Sequence, residues 1–537
     1  MKKYSILLAI LFCLILLVSC NTSEKSARSI TDVKIASDNI TMRQMDYEEK
    51  KLIYDSYYQS KLLSQVTDIK KSQKYDIDNV LTIFNPFGTN TTGLYIYFNT
   101  DKLTSVQYNI HVNDKEISDF NNTLYNGQKN NISKKHEYQL IGLTPNIDNT
   151  ITLNLYDKNG ELYCTKTFTV KAPKMSNIAD LKLEKESGSS FEPLSNGLFM
   201  TLGHIEAEDH NSYLYDNDGN VRGEYPLDGY RIDSLIFKDN LMYISVNEST
   251  IAGVNRLGYP EVIYDLGNYS MHHDYILGKD DSLLILASKN DSDSIEDFII
   301  KLDLKTKKVS EISNLGNLFG EYKKKTQLSE DKAKLDWIHI NSLYIINENE
   351  LLLSSRETST IIKISDIYKN PQLEYLIGPK ELWKDTPYSD YTFNKDGDFP
   401  IQGGQHCLIV EENDGLLPGQ YYLHLYNNNT GVSTSYPDFD WSIIENVDTI
   451  SMYYKYFVDE NKRTFTLVKQ IEVDPSRYIS SVQLYDGHLI IDSGNSFTIY
   501  EFDSNDELIA KFKIDQEMWG LYRCLKYSFN DFYFYKP

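Results

Sequence analysis

The chain has 537 residues, a formal net charge of -23, 42 tyrosines and 22 phenylalanines. The length favours two domains over one, and the many aromatic residues favour a β-rich fold. The negative charge argues against a nucleic-acid-binding protein, because phosphate backbones require clustered Lys and Arg. It also means that any anionic substrate needs a local cationic pocket.

The first twenty residues have the layout of an export signal. Two lysines precede an apolar run from Ile6 to Val18, which is short for a membrane span. The run ends in Leu17-Val18-Ser19-Cys20, which resembles the lipobox of bacterial lipoproteins. The resemblance implies that residues 1–20 are a lipoprotein signal peptide and that Cys20 is lipidated. The protein would then be exported and anchored to the bacterial membrane, at the cell surface or on the periplasmic side. An ordinary signal peptide with an incidental cysteine is the alternative.

Residues 21–74 are predicted to form a polar tether and a helical segment, because apolar residues between Met42 and Lys71 recur at helical spacing. Residues 75–172 contain short alternating strands, such as Gly93–Phe98 and Val106–Val112, separated by turns. This pattern predicts a small N-terminal β-sandwich domain. Besides Cys20, the mature chain keeps only Cys164, Cys407 and Cys524, which allow at most one disulfide.

Residues 173–537 contain a loose repeat of apolar strand, turn and apolar strand. The six units begin near Ser212, Leu241, Leu283, Leu351, Tyr421 and Leu489. Six such units predict an all-β fold with a six-bladed β-propeller as the catalytic domain. In a propeller, residues at equivalent positions of different blades face one central channel.

Three segments each place a histidine at the start of an apolar strand. They are Met271-His272-His273-Asp274, Asp336-Trp337-Ile338-His339-Ile340-Asn341-Ser342 and Gly403-Gly404-Gln405-His406-Cys407. A fourth segment, Ser354-Ser355-Arg356, places an arginine among small residues. The spacing from His273 to Leu283-Leu284 equals that from His406 to Leu416-Leu417, which supports equivalent positions in two blades.

These motifs, together with Asn85-Pro86-Phe87-Gly88, Leu143-Thr144-Pro145 and Tyr522-Arg523, resemble the bacterial arylsulfotransferases in their order along the chain. The resemblance covers most of the mature chain. It implies that His406 takes a sulfuryl group from an aryl sulfate donor as a sulfohistidine and passes it to a phenolic acceptor. No cofactor and no metal are implied. Family members are often dimers, which leaves a homodimer open here.

The resemblance also implies that His273, His339 and Arg356 hold the sulfuryl oxygens and assist proton movement. These residue types suit the chemistry, because transfer of an anionic group needs positive donors around its oxygens. Arginine is permanently charged and donates in a fork. A neutral imidazole is a competent nucleophile near neutral pH.

Each of these residues has a structural alternative. His406 with Cys407 could form a metal or thiol site, but successive strand residues point to opposite faces. The same rule allows only one of His272 and His273 to face inward, and the pattern favours His273. His339 could be a hydrogen-bonded core histidine, and Arg356 could be an ion pair between blades.

Two other functions remain open from the sequence. One is a metal-dependent propeller hydrolase with His273, His339 and His406 as ligands, although Arg356 beside a metal is unfavourable. The other is a non-catalytic surface propeller that binds a glycan or a protein. The aromatic residues of the segment Lys380 to Gln402 could form a lid or a phenol-binding wall, or could pack between blades.

Overall fold

The structure is a computed structural model that describes residues 31–34, 41–44, 50–175, 182–204, 211–330, 332–431, 433–439, 450–514 and 520–537. The predicted signal peptide and its lipidation residue, Cys20, lie outside the described residues. No helix in these ranges is long and apolar enough to cross a membrane.

The N-terminal domain is built on one sheet of eight strands. The strands are β1 (Thr31–Lys34), β2 (Thr41–Gln44), β3 (Leu81–Phe84), β4 (Leu94–His111), β5 (Phe120–Thr123), β6 (Ser133–Leu140), β7 (Asp148–Asp157) and β8 (Leu162–Lys171). The order β1-β2-β3-β4-β7-β8 forms the main path, and β5 and β6 also pair with β4. The two strands predicted around Ile96 and Tyr108 are halves of the long strand β4.

The helical segment is shorter than its sequence predicts. A 3-10 turn at Lys50–Leu52 precedes helix α1 (Ser56–Ser72), whose first turn is capped by Asp55. Leu62 and Val66 of α1 pack against the sheet in one apolar cluster with Tyr95. The prediction of a helix from Met42 onward is wrong at its start, because β2 pairs in parallel with β3 and places Met42 opposite Thr82. This long-range pairing overrides the local spacing.

Six further sheets follow in chain order. The first contains β10 (Leu198–His204), β11 (Asn211–Tyr215), β12 (Val221–Pro226) and the C-terminal strand β34 (Leu521–Tyr527). The second contains β13 (Ile236–Lys238), β14 (Leu241–Asn247), β15 (Thr250–Asn255) and β16 (Pro260–Asp265). The third contains β17 (Tyr269–Gly278), β18 (Ser282–Lys289), β19 (Phe298–Asp303) and β20 (Val309–Asn314).

The remaining three sheets complete the chain. The fourth contains β21 (Ile340–Asn347), β22 (Glu350–Ser355), β23 (Thr360–Ser365) and β24 (Gln372–Ile377). The fifth contains β25 (Asn394–Lys395), β26 (His406–Glu411), β27 (Gln420–Asn427), β28 (Ser451–Asp459) and β29 (Thr464–Val473). The sixth contains β30 (Ser481–Tyr485), β31 (His488–Ser493), β32 (Thr498–Phe502), β33 (Leu508–Ile514) and β9 (Leu183–Ser187). The closing strand β34 spans Leu521–Tyr527. Three one-turn helices lie between sheets, α2 (Leu315–Leu318), α3 (Gly320–Lys323) and α4 (Lys380–Trp383).

After the N-terminal domain, the described residues contain as many sheets as the sequence has repeat units, and the prediction of an all-β fold is confirmed. Each repeat start lies in a central strand of a different sheet. The first strands of successive sheets contact one another, β17 with β21, β21 with β26, β26 with β30, and β30 with β34. We interpret the sheets as blades around a common axis.

The aromatic segment before His406 packs between sheets. Trp383 is fully buried and its ring lies 5.0 Å from that of Tyr322 at an interplanar angle of 43°, while Phe393 stacks on Tyr375 at 4.1 Å. Of the aromatic side chains in this segment, only Tyr391 is exposed, at 38%. These contacts correspond to the packing alternative rather than to a lid.

Candidate active site

The predicted site residues lie at one end of the sheets. The strands that carry them pair antiparallel with the next strand in the chain, so the start of each first strand, the loop between the second and third strands, and the connection between sheets share that end. His339 and His406 lie at the starts of β21 and β26, and His273 lies at the centre of β17, where its pairing with β18 is interrupted. Arg356 lies in the loop between β22 and β23. The fold therefore brings all four to the same end of the sheets.

Bulges in these first strands change the direction in which the side chains point. The pairing register shifts between Met271 and Tyr275, between Ile340 and Ser342, and between His406 and Leu408. His273, His339 and Cys407 adopt positive φ angles of 60°, 46° and 59°. A bulge interrupts the alternation of side chains between the two faces of a sheet.

His406 is buried and neutral. Its Nδ1 lies 2.7 Å from Asn428 Oδ1 and 3.2 Å from the Gly404 carbonyl, and its Nε2 lies 3.3 Å from the Ile479 amide nitrogen. Burial lowers the pKa of His406 to about 3, reinforced by the charges of Arg356 and His339 and opposed by the Asn428 hydrogen bond. The ring therefore carries its proton on Nδ1 and a lone pair on Nε2.

The residues before His406 fix its strand to the neighbouring sheet. Gly403 passes so close to Thr430 that a Cβ would lie 2.8 Å from the Thr430 carbonyl oxygen, and Gly404 has a φ of 62°. The buried Gln405 donates through Nε2 to Ser354 Oγ at 3.0 Å. The Gly-Gly-Gln-His motif thus ties the nucleophile candidate to the strand that leads to Arg356.

The predicted equivalence through Leu416-Leu417 is wrong. Leu283 and Leu284 belong to β18, whereas Leu416 and Leu417 lie in the loop before β27. His406 and His273 still occupy comparable places, because each lies at the bulge in the first strand of its sheet.

His339 is held between two carboxylates. Its Nδ1 lies 2.9 Å from Asp336 Oδ2 and 2.6 Å from Glu296 Oε2. Burial and Arg356 lower the pKa of His339, but Asp336 and Glu296 outweigh them and raise it to about 9. His339 is therefore protonated at neutral pH. Its two carboxylate partners distinguish it from an ordinary hydrogen-bonded core histidine.

Arg356 and His339 each direct an N–H donor toward the same point in the site. Arg356 Nη1 lies 3.4 Å from His339 Nε2, and both carry protons when His339 is charged. Two donors cannot satisfy each other, so an anionic oxygen between them would accept from both. Arg356 Nη2 donates to Glu357 Oε1 at 2.9 Å, and Glu357 Oε2 accepts from Ser433 Oγ at 2.7 Å.

His273 has no free nitrogen. Its Nδ1 accepts from Arg231 Nη2 at 3.0 Å, and its Nε2 donates to Glu296 Oε2 at 3.1 Å. Its ring lies 4.9 Å from the His339 ring and stacks on Tyr522 at 5.4 Å. Burial lowers the pKa of His273 well below its usual value, so the ring is neutral.

His272 reaches the same site, which corrects the prediction that only one of the two histidines faces inward. The positive φ of His273 breaks the strand alternation on which that prediction depended. His272 is 7% exposed, neither ring nitrogen has a hydrogen-bond partner among the described residues, and its ring lies 5.0 Å from that of His273. Burial lowers its pKa to about 4, although the nearby Ala287 carbonyl and Glu296 oppose this.

Arg523 lies behind the histidines and joins three sheets. From β34 it donates to Asp274 Oδ1 at 2.9 Å in the third sheet and to the Asn341 carbonyl at 3.2 Å in the fourth. Asp274 Oδ2 in turn accepts from Ser342 Oγ and from the Leu343 amide. Arg523 is 5% exposed, so it serves chiefly to connect the first strands around the axis.

Sequence reasoning assigned no role to several residues that complete the site. Asp336 and Asp274 stand inside the histidine motifs, so their proximity to those histidines is readable from the sequence. Arg231, Glu296 and Asn428 stand alone in loops between strands, and no local pattern marks them. They become neighbours of the histidines only because these loops lie at the same end of the sheets as the histidines.

Two groups of side chains in the described residues have the spacing of metal ligands. They are His272, His273 and Glu296, and Glu296, Asp336 and His339. His406 belongs to neither, so the predicted alternative set of His273, His339 and His406 is not brought together as a ligand group. Arg231 and Arg356, hydrogen-bonded to or beside these histidines, make either group electrostatically unfavourable for a cation.

Cys407 does not share the site with His406. Its thiol contacts the Val482 carbonyl at 3.3 Å within an apolar cluster that includes Tyr426 and Ile491. Burial raises the pKa of Cys407, which makes it unreactive. Cys164, Cys407 and Cys524 are all free thiols.

Comparison with known proteins identifies two family domains. The model of the arylsulfotransferase (ASST) family matches residues 184–522, and that of the arylsulfotransferase Ig-like domain matches residues 81–173. No curated protein sequence matches significantly.

Solved structures resemble the chain only distantly. One is a protein of unknown function from Bacteroides caccae, with 11% identity and a TM-score of 0.38 over 62% of this chain and 99% of that one. Another is a functionally unknown protein from Desulfotomaculum acetoxidans, with 12% identity and a TM-score of 0.36 over 62% and 99%. The two family domains together span most of the described chain, and the chain belongs to the arylsulfotransferase family.

Proposed function

We propose that the protein moves a sulfuryl group from an aryl sulfate to a phenol through a sulfohistidine on His406. Family membership supports arylsulfate sulfotransferase activity in general. The observation that carries the finer proposal is the contrast between two histidines. His406 is neutral with its lone pair on Nε2, whereas His339 is protonated beside Arg356.

In the first half-reaction, His406 Nε2 attacks the sulfur of the donor. An N–S bond forms, the bond between sulfur and the aryl oxygen breaks, and the phenolate leaves with that electron pair. The protonated His339 and Arg356 donate to the sulfuryl oxygens, where positive donors stabilise the transferred group.

In the second half-reaction, the oxygen of an acceptor phenol attacks the same sulfur. The N–S bond breaks and returns its electron pair to His406 Nε2, while the acceptor loses its proton to the neutral imidazole of His272. His273 is occupied on both nitrogens by Arg231 and Glu296, so it positions its neighbours rather than exchanging protons.

At the proposed donor site, Arg356 Nη1 and the protonated His339 Nε2 lie 3.4 Å apart and can both donate to a sulfuryl oxygen, although the protein has a net charge of -23. Each cation of the site also has carboxylate partners, Asp233, Glu357 and Asp274 for the three arginines and Asp336 and Glu296 for His339. The anionic donor is therefore held by directed N–H groups rather than by an excess of positive charge. The substrates we propose are an aryl sulfate donor and a phenolic acceptor, with no nucleotide sulfate.

The test measures sulfate transfer from 4-nitrophenyl sulfate to phenol and weighs the intact protein after exposure to donor alone. Wild type is expected to require phenol for turnover and to gain one sulfuryl group. His406→Ala should lose both. His424→Ala is the matched control, because His424 is a buried histidine of the same sheet that bonds to Glu411 and Tyr453, and it should keep both. A wild-type protein that is folded but forms no adduct and no product would refute the proposal.

We further propose that the mature chain is exported and anchored through lipid on Cys20, on the evidence of its N-terminal sequence. Cys20→Ser should move the protein from the membrane fraction to the soluble fraction of the producing cells. Equal membrane association of wild type and variant would contradict the anchor.

A further inference from the structure

We propose that Asn428 is a positioning residue that sets the tautomer of His406 and so determines which nitrogen is the nucleophile. This inference rests on the proposed function, which makes His406 the group that attacks sulfur. Asn428 lies directly after β27, in the loop between the second and third strands of the fifth sheet, and is fully buried.

The amide of Asn428 has only one satisfactory orientation. Its Nδ2 donates to the Ser476 carbonyl at 2.7 Å and to the Ile479 carbonyl at 2.9 Å. Carbonyl oxygens only accept, so a flipped amide would place Oδ1 against two other acceptors. The two backbone carbonyls therefore force Oδ1 to face His406 Nδ1.

The orientation of the amide then fixes the proton on the ring. Oδ1 can only accept, so His406 Nδ1 must donate, and the Gly404 carbonyl at 3.2 Å is a second acceptor at the same nitrogen. The neutral ring has one proton, so Nε2 keeps the lone pair. The Ile479 amide, 3.3 Å from Nε2, is a donor and favours the same tautomer.

Asn428 also holds the segment that faces Nε2. Ile479 and Ser480 adopt φ angles of 64° and 95°, which are strained for residues with a Cβ, above all for β-branched isoleucine. The hydrogen bond from Asn428 to the Ile479 carbonyl helps to hold this conformation. One side chain therefore positions both the nucleophile and the backbone amide beside it.

The first experiment observes the ring directly, in resting protein without donor. Protein labelled with ¹⁵N-histidine, with the His406 signals assigned by comparison with His406→Ala, should show His406 as the neutral Nδ1–H tautomer. Asn428→Ala should mix the two tautomers. The Nε2–H tautomer in wild type, or an unchanged spectrum in Asn428→Ala, would overturn the inference whether or not the protein transfers sulfate.

The second experiment follows the pH dependence of sulfation. The charged or titratable groups that act on His406 are Arg356, His339 and Arg523, and all three remain in Asn428→Asp. The new carboxylate would favour imidazolium, so the sulfation rate should fall at neutral pH by about 100-fold or more and recover as the pH rises. A rate that stays independent of pH would contradict the inference.

Asn149→Asp is the matched control for both experiments. Asn149 is also fully buried and donates through Nδ2 to two carbonyls, those of Thr144 and Ile147 at 2.9 Å each, but in the N-terminal domain. It should lose stability without altering the pH profile. A merely structural role for Asn428 predicts the same behaviour for both variants. If wild type shows the expected tautomer yet forms no adduct, the proposed function fails and the tautomer assignment stands.

Discussion

Two buried histidines at one site are held in opposite protonation states. His406 has an amide and a carbonyl as partners and stays neutral, because burial lowers its pKa to about 3. His339 faces Asp336 and Glu296, which raise its pKa to about 9 despite burial and the nearby Arg356. The same residue type therefore provides a neutral imidazole in one place and a cation in the other.

The pH dependence of sulfation should report the charge of His339. Because its pKa is raised to about 9, His339 keeps its proton through neutral pH and loses it as the pH rises through about 9. The kcat/KM for the donor should therefore fall above about pH 9. His406 should contribute no acid limb near neutral pH, because its pKa is lowered. The measurement is kcat/KM against pH for wild type and His339→Gln, and the variant should be slower and lack the basic limb. A basic limb that survives in the variant would assign it to another group.

We expect His272 to be the histidine that takes the proton of an acceptor phenol. His273 is bonded on both nitrogens, whereas His272 is neutral and has no hydrogen-bond partner for either nitrogen among the described residues. His272→Gln should slow transfer from the sulfohistidine to phenol by about 100-fold, because a neutral imidazole can remove the proton of a weakly acidic acceptor as a general base. The loss with pentafluorophenol, which is already ionised at neutral pH, should be much smaller.

The control for this prediction is His424→Gln, which should slow transfer to neither acceptor. Added imidazole should partly restore the transfer of His272→Ala to phenol. Equal losses with both acceptors would mean that His272 only packs the site.

Motifs identified the histidines and Arg356, but not all of the side-chain directions. The choice between His272 and His273 depended on regular strand alternation, and the bulge at His273 removes that regularity. A left-handed backbone at a histidine has no signature in a single sequence. Glu296 was unpredictable for another reason, since its contact with His339 depends on how two different sheets converge. Asn428 meets His406 through the pairing of β26 with β27, whose register a single sequence does not give.

At the scale of elements, the junction between the two domains depends on one buried arginine. Arg222 of β12 is fully buried and pairs with Asp216 at 2.6 Å. It also donates to the carbonyls of Ser118 at 2.6 Å and Gly142 at 3.1 Å, both in the N-terminal domain. The first sheet and the N-terminal domain are therefore joined by hydrogen bonds to a charged group away from water.

Arg222→Met should lower the free energy of unfolding by about 3 kcal/mol, because it leaves Asp216 and two carbonyls without their charged donor. Urea unfolding followed by fluorescence measures this change. The control is Arg463→Met, since Arg463 is exposed and donates to one carbonyl, that of Asp390. It should cost less than about 1 kcal/mol. Similar small losses in both variants would show that the junction does not depend on Arg222.

Strands were easier to predict than the segments between them. Each repeat unit read from alternating apolar residues falls in a central strand of a sheet, because that strand is packed on both faces and is strongly apolar, as in Leu283–Ala287. Leu416 and Leu417 are apolar too but lie in a loop, and Leu417 is 63% exposed. The strand β2 escaped prediction because its pairing with β3 joins residues that lie far apart in the chain.

At the scale of the whole molecule, the first and the last strand of the C-terminal domain complete two neighbouring sheets. β9, near the start, is the outer strand of the sixth sheet, and β34, near the end, is the inner strand of the first. The tail after β34 also packs on the N-terminal domain, where the Tyr125 amide donates to the Tyr533 carbonyl at 3.0 Å. The sequence repeat indicates the number of sheets but not this exchange of strands, because each of the two strands is far from its sheet in sequence.

Removal of residues 521–537 should therefore prevent cooperative folding rather than shorten a flexible end. The truncation removes the inner strand beside β10, the ion pair between Arg523 and Asp274 and the apolar contacts of Phe529, Phe532 and Phe534. Removal of Lys536 and Pro537 alone, both exposed, is the control and should leave thermal unfolding unchanged. Arg523→Met keeps the strand and should give an intermediate loss, since it leaves Asp274 buried without its charged partner. Calorimetry of the three proteins beside wild type ranks them. A truncated protein that unfolds at the wild-type temperature would show that the ring of sheets holds together without β34.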